Sequence, residues 1–148
     1  MAASTDHVGL SVGDLDRISA FYCRAFGMTT TGPRVLADGH SRVAVLTGTP
    51  GLCLELTQVP GSRPQEHTSV ADGARTQGWF HWSLRIDNLD AALTTIRALG
   101  GNLVTEPADA QTRPGIRFAY VTDPEGNLIE LTTTEETRTT APVSPKRG

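Results

Sequence analysis

His7-Val-Gly-Leu-Ser-Val-Gly-Asp-Leu-Asp16 and His81-Trp-Ser-Leu-Arg-Ile-Asp-Asn-Leu-Asp90 decide the fold, because the second stretch repeats the first 74 positions later. His7 matches His81, Leu10 matches Leu84, Leu15 matches Leu89 and Asp16 matches Asp90. Further along the offset becomes 75: Arg42-Val-Ala-Val-Leu-Thr47 matches Arg117-Phe-Ala-Tyr-Val-Thr122, and Leu54-Glu-Leu-Thr57 matches Ile129-Glu-Leu-Thr132. An ordered series of matches at a near-constant offset marks an internal duplication, and a drift of one residue fits a single insertion in a loop.

Each half reads as a strand, a helix and then several strands. Val8, Leu10 and Val12 alternate with His7, Gly9 and Ser11, the period of a half-buried strand. A helix follows, capped by Asp14 or Asp16, with Ile18, Phe21, Tyr22, Ala25 and Phe26 at helical spacing and Gly27 placed to end it. In the second half Asn88 or Asp90 caps a helix with the stripe Leu89, Leu93, Ile96 and Leu99, and Gly100-Gly101 ends it. The first half's strand region is 34–58, clearest at Val43–Leu46 and Leu52–Thr57, with Thr49-Pro-Gly51 as the turn. Its counterparts are Ile116–Val121 and Leu128–Thr132, joined by the turn Asp123-Pro-Glu-Gly-Asn127. The boundaries follow as module one at 6–58, a polar linker at 59–78 that could lie over a site, module two at 79–132, and a loose Thr-rich tail at 133–148, all in a single domain over 1–148.

Length and composition bound what this chain does. Its 148 residues suit one compact domain. Thirteen basic against 16 acidic side chains give a net charge of −3, which argues against nucleic acid, whose phosphates need a basic field. No apolar run approaches the ~20 residues of a membrane span. The first residues, MAASTDHVG, do not read as a secretory signal, and Cys23 and Cys53 form no CxxC pair, so a cytoplasmic protein with reduced thiols is expected. No nucleophilic triad or phosphate-cradling glycine loop is evident. Ser11 and Ser83 read as occupying comparable strand positions, without the elbow of a hydrolase.

The duplication pairs two histidines and two carboxylates. His7 and His81 stand near the starts of the first strands, and Glu55 and Glu130 in the last strands. Strand alternation sends Leu54, Leu56, Ile129 and Leu131 to one face and Glu55, Thr57, Glu130 and Thr132 to the other. The two histidines also leave the core face, so the four side chains can converge if the halves build one curved sheet. Two imidazoles and two carboxylates suit a divalent metal, Zn, Fe, Ni, Mn or Co, without choosing among them. Four protein ligands on a six-coordinate ion leave two positions for substrate oxygens or water. A lone strand histidine or glutamate is ordinarily structural or solvated; four at equivalent places are what raise the metal reading. His40 and His67 have no partners in the duplication and read as loop residues, and Cys53 reads as a packed thiol. Arg85 shares the face of His81, and with Ser11 and Ser83 it is a candidate substrate contact.

These residues resemble the vicinal oxygen chelate superfamily, the glyoxalase, bleomycin-resistance and dioxygenase family. The resemblance is carried by His7-Val-Gly-Leu-Ser-Val, Phe21-Tyr22 with Phe26-Gly27, Leu54-Glu55-Leu56, His81 within Phe-His-Trp-Ser-Leu, and Asp123-Pro-Glu-Gly-Asn-Leu-Ile-Glu130-Leu, and spans residues 6–132. It implies an α+β fold of two βαβββ modules forming a cupped, mostly antiparallel eight-stranded sheet, a homodimer, and metal ligands at His7, Glu55, His81 and Glu130. The set resembles that of bacterial glyoxalase I, whereas methylmalonyl-CoA epimerases usually carry Gln where this chain has Glu55. Glyoxalase I also resembles this chain imperfectly: it uses an Arg in the first strand to hold glutathione, and here that face shows Gly9 and Ser11.

The expected activity is therefore that of a metal-dependent lyase or isomerase on a small carbonyl substrate, not a strict glutathione-dependent glyoxalase I. The metal as Lewis acid would stabilise an enediolate or enolate as a carbon-bound proton leaves. The resemblance puts the base at Glu130, and the duplication makes Glu55 a second candidate. One alternative is an Fe(II)-dependent dioxygenase built on two histidines and one carboxylate, which Glu55 would crowd. Another is a metal-free antibiotic-binding protein in which Trp79, Phe80 and Trp82 stack on a planar ligand.

Overall fold

The computed structural model describes residues 2–49, 51–65 and 69–134. Module one runs β1 (Val8–Ser11), α1 (Leu15–Phe26), β2 (Thr29–Thr30), β3 (Arg34–Val35), β4 (Arg42–Gly48) and β5 (Leu52–Gln58). A short helix α2 (Val70–Arg75) lies between the modules. Module two repeats the order as β6 (Trp82–Arg85), α3 (Leu89–Ala98), β7 (Asn102–Leu103), β8 (Ala108–Asp109), β9 (Ile116–Thr122) and β10 (Leu128–Thr134). The fold is α+β, two modules each with a mixed sheet and a covering helix.

In each sheet the first strand pairs parallel with the last, β1 with β5 and β6 with β10, and every other pairing is antiparallel. Both β2 and β3 pair with β4, and both β7 and β8 with β9, so each outer row is one interrupted strand and each module has four rows. Within one chain the two sheets are not hydrogen-bonded to each other among the described residues, and β1 and β6 each stand at a sheet edge. The eight rows are thus divided between two separate sheets, one in each module.

Register shows that the duplication is structural. Gly9 lies opposite Glu55, which lies opposite Val45; Ser83 lies opposite Glu130, which lies opposite Tyr120. This corrects the reading of the serines: Ser83 stands where Gly9 does, and Ser11 stands where Arg85 does. The pairing advances by two residues between these levels, which preserves the face of a strand and so hides the displacement from alternation alone.

The helices are capped as one of each pair of candidates requires. Asp14 accepts from the Arg17 amide at 3.0 Å, while Asp16 instead pairs with the Arg42 guanidinium at 2.9 Å. Asn88 accepts from the Ala91 amide at 2.9 Å. Leu15, Ile18, Phe21 and Tyr22 of α1, and Leu89, Leu93 and Ile96 of α3, are buried against Leu54, Leu56, Ile129 and Leu131 from the last strands. Gly101 cannot carry a side chain, since a Cβ there would lie 2.4 Å from the Thr122 carbonyl oxygen.

Contacts from the β9–β10 turn to the start and the middle of α1 join the modules. The Glu125 carboxylate accepts from the amides of Gly13 at 2.8 Å and Asp14 at 2.7 Å. The Tyr22 hydroxyl donates to buried Asp123 at 3.3 Å. Asp123 also accepts from the amides of Glu125 and Asn127, which shapes the β9–β10 turn, and burial holds its carboxyl above the usual range despite them. The short strands β2, β7 and β8 and helix α2 carry too few residues for a periodic signal. The expected tail begins two residues too early: β10 continues through Thr134, with Thr133 buried. Residues 135–148, His67 and Pro50 lie outside the described residues.

Candidate metal centre

The four candidate donors stand as two pairs. In module two, His81 Nε2 lies 3.9 Å from Glu130 Oε2, beyond hydrogen-bond length, while Nδ1 is buried without a hydrogen-bond partner. A buried ring nitrogen left unpaired among the described residues carries a desolvation cost, while Nε2 is the nitrogen that faces Glu130. Glu130 is largely buried and accepts from the Ser83 hydroxyl at 2.5 Å. Arg113, from the loop before β9, approaches its other oxygen at 3.7 Å. Tyr120 lies opposite Glu130; burial, then the Glu130 charge, raises its hydroxyl pKa, with Arg113 opposing. Phe80 and Tyr120 meet the His81 ring edge-on at 4.4 and 5.4 Å between centroids, which fixes the plane of the imidazole.

In module one, His7 is more exposed. Its Nδ1 donates to Asp6 Oδ2 at 2.7 Å. A carboxylate only accepts, so this contact places the proton on Nδ1 and leaves Nε2 to supply a lone pair. The Asp6 hydrogen bond holds the His7 pKa above its ordinary value, with the charge of Glu55 adding to it. Glu55 is half-buried, level with Gly9 and Val45, so no serine holds it as Ser83 holds Glu130.

Among the described residues no three His, Cys, Asp or Glu side chains gather closely enough to hold an ion. Each pair suits a divalent cation in donor chemistry, an imidazole with a carboxylate, but one module supplies only half of a four-donor set. His7 and His81 both line a cavity of about 810 Å³ walled by β1, Ser62–Gln65, Trp79–Trp82 and Glu125–Leu128; Glu55 and Glu130 do not. Trp79 is 94% exposed at this cavity, whereas Trp82 packs on Tyr22. Ser11 is exposed opposite Thr57, and Arg85 is exposed opposite Thr132, on the face of Glu130. His40 is an exposed loop residue, and Cys23 and Cys53 are half-buried free thiols. No helix among the described residues is long and apolar enough to cross a membrane.

Sequence reasoning did not single out Arg113, Tyr120 or Asp6. Alternation in Arg117–Val121 does place Phe118 and Tyr120 opposite the buried Ala119 and Val121, so Tyr120 had a signal. Arg113 sits in a loop and had none.

Comparison with known proteins identifies the family and the fold. The chain is 30% identical over 128 residues to a probable lactoylglutathione lyase of Vibrio cholerae, covering 84% of this chain and 86% of that protein. It is equally identical to a lactoylglutathione lyase of Arabidopsis thaliana, but spans only 42% of that longer protein. Among solved structures, glyoxalase I from Zea mays superposes with a TM-score of 0.67 at 26% identity, over 86% of this chain and 43% of that one. A glyoxalase family protein from Bacillus cereus superposes at 0.73 with 19% identity, over 90% and 95%, which speaks for the fold alone. With two repeated modules, paired His and Glu side chains, and a match over residues 4–131, the chain belongs to the Glyoxalase/Bleomycin resistance protein/Dioxygenase superfamily.

Proposed function

We propose that this chain is a metal-dependent lyase or isomerase that moves a carbon-bound proton on a small carbonyl substrate, with His7, Glu55, His81 and Glu130 as the donors. The observation that carries the reading is the repeat itself: each histidine stands one residue before the first strand of its module, and each glutamate is paired two residues further along that strand, opposite Gly9 in module one and Ser83 in module two. Because one chain separates the pairs, a complete set forms when module one of one copy meets module two of a second copy in a homodimer. The open edges of β1 and β6 are where such sheets can join. A divalent ion held there would serve as a Lewis acid toward substrate oxygens.

The chain's own residues supply the rest. Glu130 is the proton-moving base: Ser83 fixes one of its oxygens and the half-buried wall of Phe118 and Tyr120 limits water around it. Glu55 faces aliphatic Val45 and has no such fixed partner among the described hydrogen bonds, so it is the less firmly positioned candidate. The first strand offers Gly9 and Ser11 where a glutathione carboxylate would need a cation, which supports a substrate other than a glutathione conjugate. Four donors leave fewer open positions than the three-donor arrangement of an oxygenase, which favours proton transfer over oxygen chemistry.

Elemental analysis of the purified protein tests the reading. The expected result is one divalent metal per chain, lost in both His7→Ala and His81→Ala, with no oxygen consumed in the presence of Fe(II). A metal-free protein that binds planar aromatic ligands, or one whose metal survives both substitutions, would overturn it.

A further inference from the structure

The two halves of the site differ in charge. On the Glu55 face, the inner strands of module one present Gly9, Ser11, Val43, Val45 and Thr57, none of them charged. Among the described strand residues, a cation enters that face on the outer strand, where Arg34 lies opposite Val43. The corresponding face of module two carries Arg85 on the edge strand β6, level with Thr132, two residues along from Glu130. It also receives Arg113 at 3.7 Å from Glu130. Arg85 is exposed and has no ion pair among the described residues. Arg113 has Glu130 as its ion-pair partner and is half-exposed. A carboxylate that shares its charge with a divalent ion attracts a neighbouring guanidinium less, and a planar guanidinium fork suits an incoming carboxylate.

Resting on the metal-centred reading above, we infer that Arg113 and Arg85 form an anion subsite beside Glu130, so that the substrate is a chelating carbonyl compound with its anionic group turned toward module two. Its uncharged end then lies over Val43, Val45 and Gly9 of module one. Arg113 has two partners in turn, Glu130 in the free protein and the substrate anion in the loaded one.

The test uses the full chain titrated with Ni(II), then with two hydroxamates, which present adjacent oxygens to a metal. One is para-carboxybenzohydroxamate and the other its neutral isostere, para-carbamoylbenzohydroxamate. Calorimetry should show the wild type preferring the carboxylate about tenfold or more, as a charge-assisted hydrogen bond would give. Arg113→Gln and Arg85→Gln should each reduce that preference, while Arg34→Gln leaves it intact. Affinity for the neutral isostere should stay unchanged throughout, which controls for folding. Arg113→Gln should also bind Ni(II) alone more tightly, because a competing cation has been removed. Equal binding of both hydroxamates by the wild type, or a preference that persists without both arginines, would overturn this inference and leave the metal reading standing. Failure to bind Ni(II) at all would overturn both.

Discussion

Glu130 owes its place to three neighbours that the chain brings from far apart: Ser83 from β6, Tyr120 from β9 and Arg113 from the loop before it. Glu130→Gln should lower kcat by roughly 10²–10⁴-fold with KM moving far less, since a positioned base contributes about that much. Metal content measured beside the kinetics separates loss of the base from loss of the ion. An unchanged rate would remove Glu130 from the chemistry. Its candidacy was legible because alternation separates it from buried Ile129 and Leu131. Arg113 was not, because a loop side chain reaches its partner through tertiary geometry that no local period records. The equivalence of Ser11 with Ser83 fails on the repeat itself, since the offset of 74 carries Ser11 to Arg85 and Gly9 to Ser83, as the strand pairing also does.

At the scale of elements, the cap and the apolar stripe made both long helices readable, and the choice between Asp14 and Asp16 was settled only by Arg42 reaching one of them. Two-residue strands such as β2 and β7 are too short to give a periodic signal, and they form where β4 and β9 offer them an edge. The contact of Glu125 with α1 was equally hidden, since 112 positions separate it from Gly13. A carboxylate at a helix N-terminus gains from both the free amides and the helix dipole. Glu125→Gln should therefore destabilise the chain by about 1–2 kcal/mol, as read from the urea midpoint at constant slope. No change in the midpoint would show that solvent satisfies those amides equally well.

For the whole molecule, two separated donor pairs make a specific prediction about mixed assemblies. Neither His7→Ala nor His81→Ala alone retains a complete set of four donors. In a dimer containing one of each, the intact module two of the first variant faces the intact module one of the second. Mixing the two variants through unfolding and refolding should restore one metal per mixed dimer, measured by native mass spectrometry. No restoration would show that each site is built within one chain. The duplicated layout could be read from the repeat, which also singled out the candidate donors; which sheet edges meet could not, because spacing along a chain does not record it. The Glu125 contact adds an asymmetry to this picture. One insertion-shifted repeat earlier, the position of Glu125 is held by Pro50, which has no carboxylate to offer the helix of the other half. A chain made of two identical first halves would thus lack this clasp between a turn and the helix of the other half.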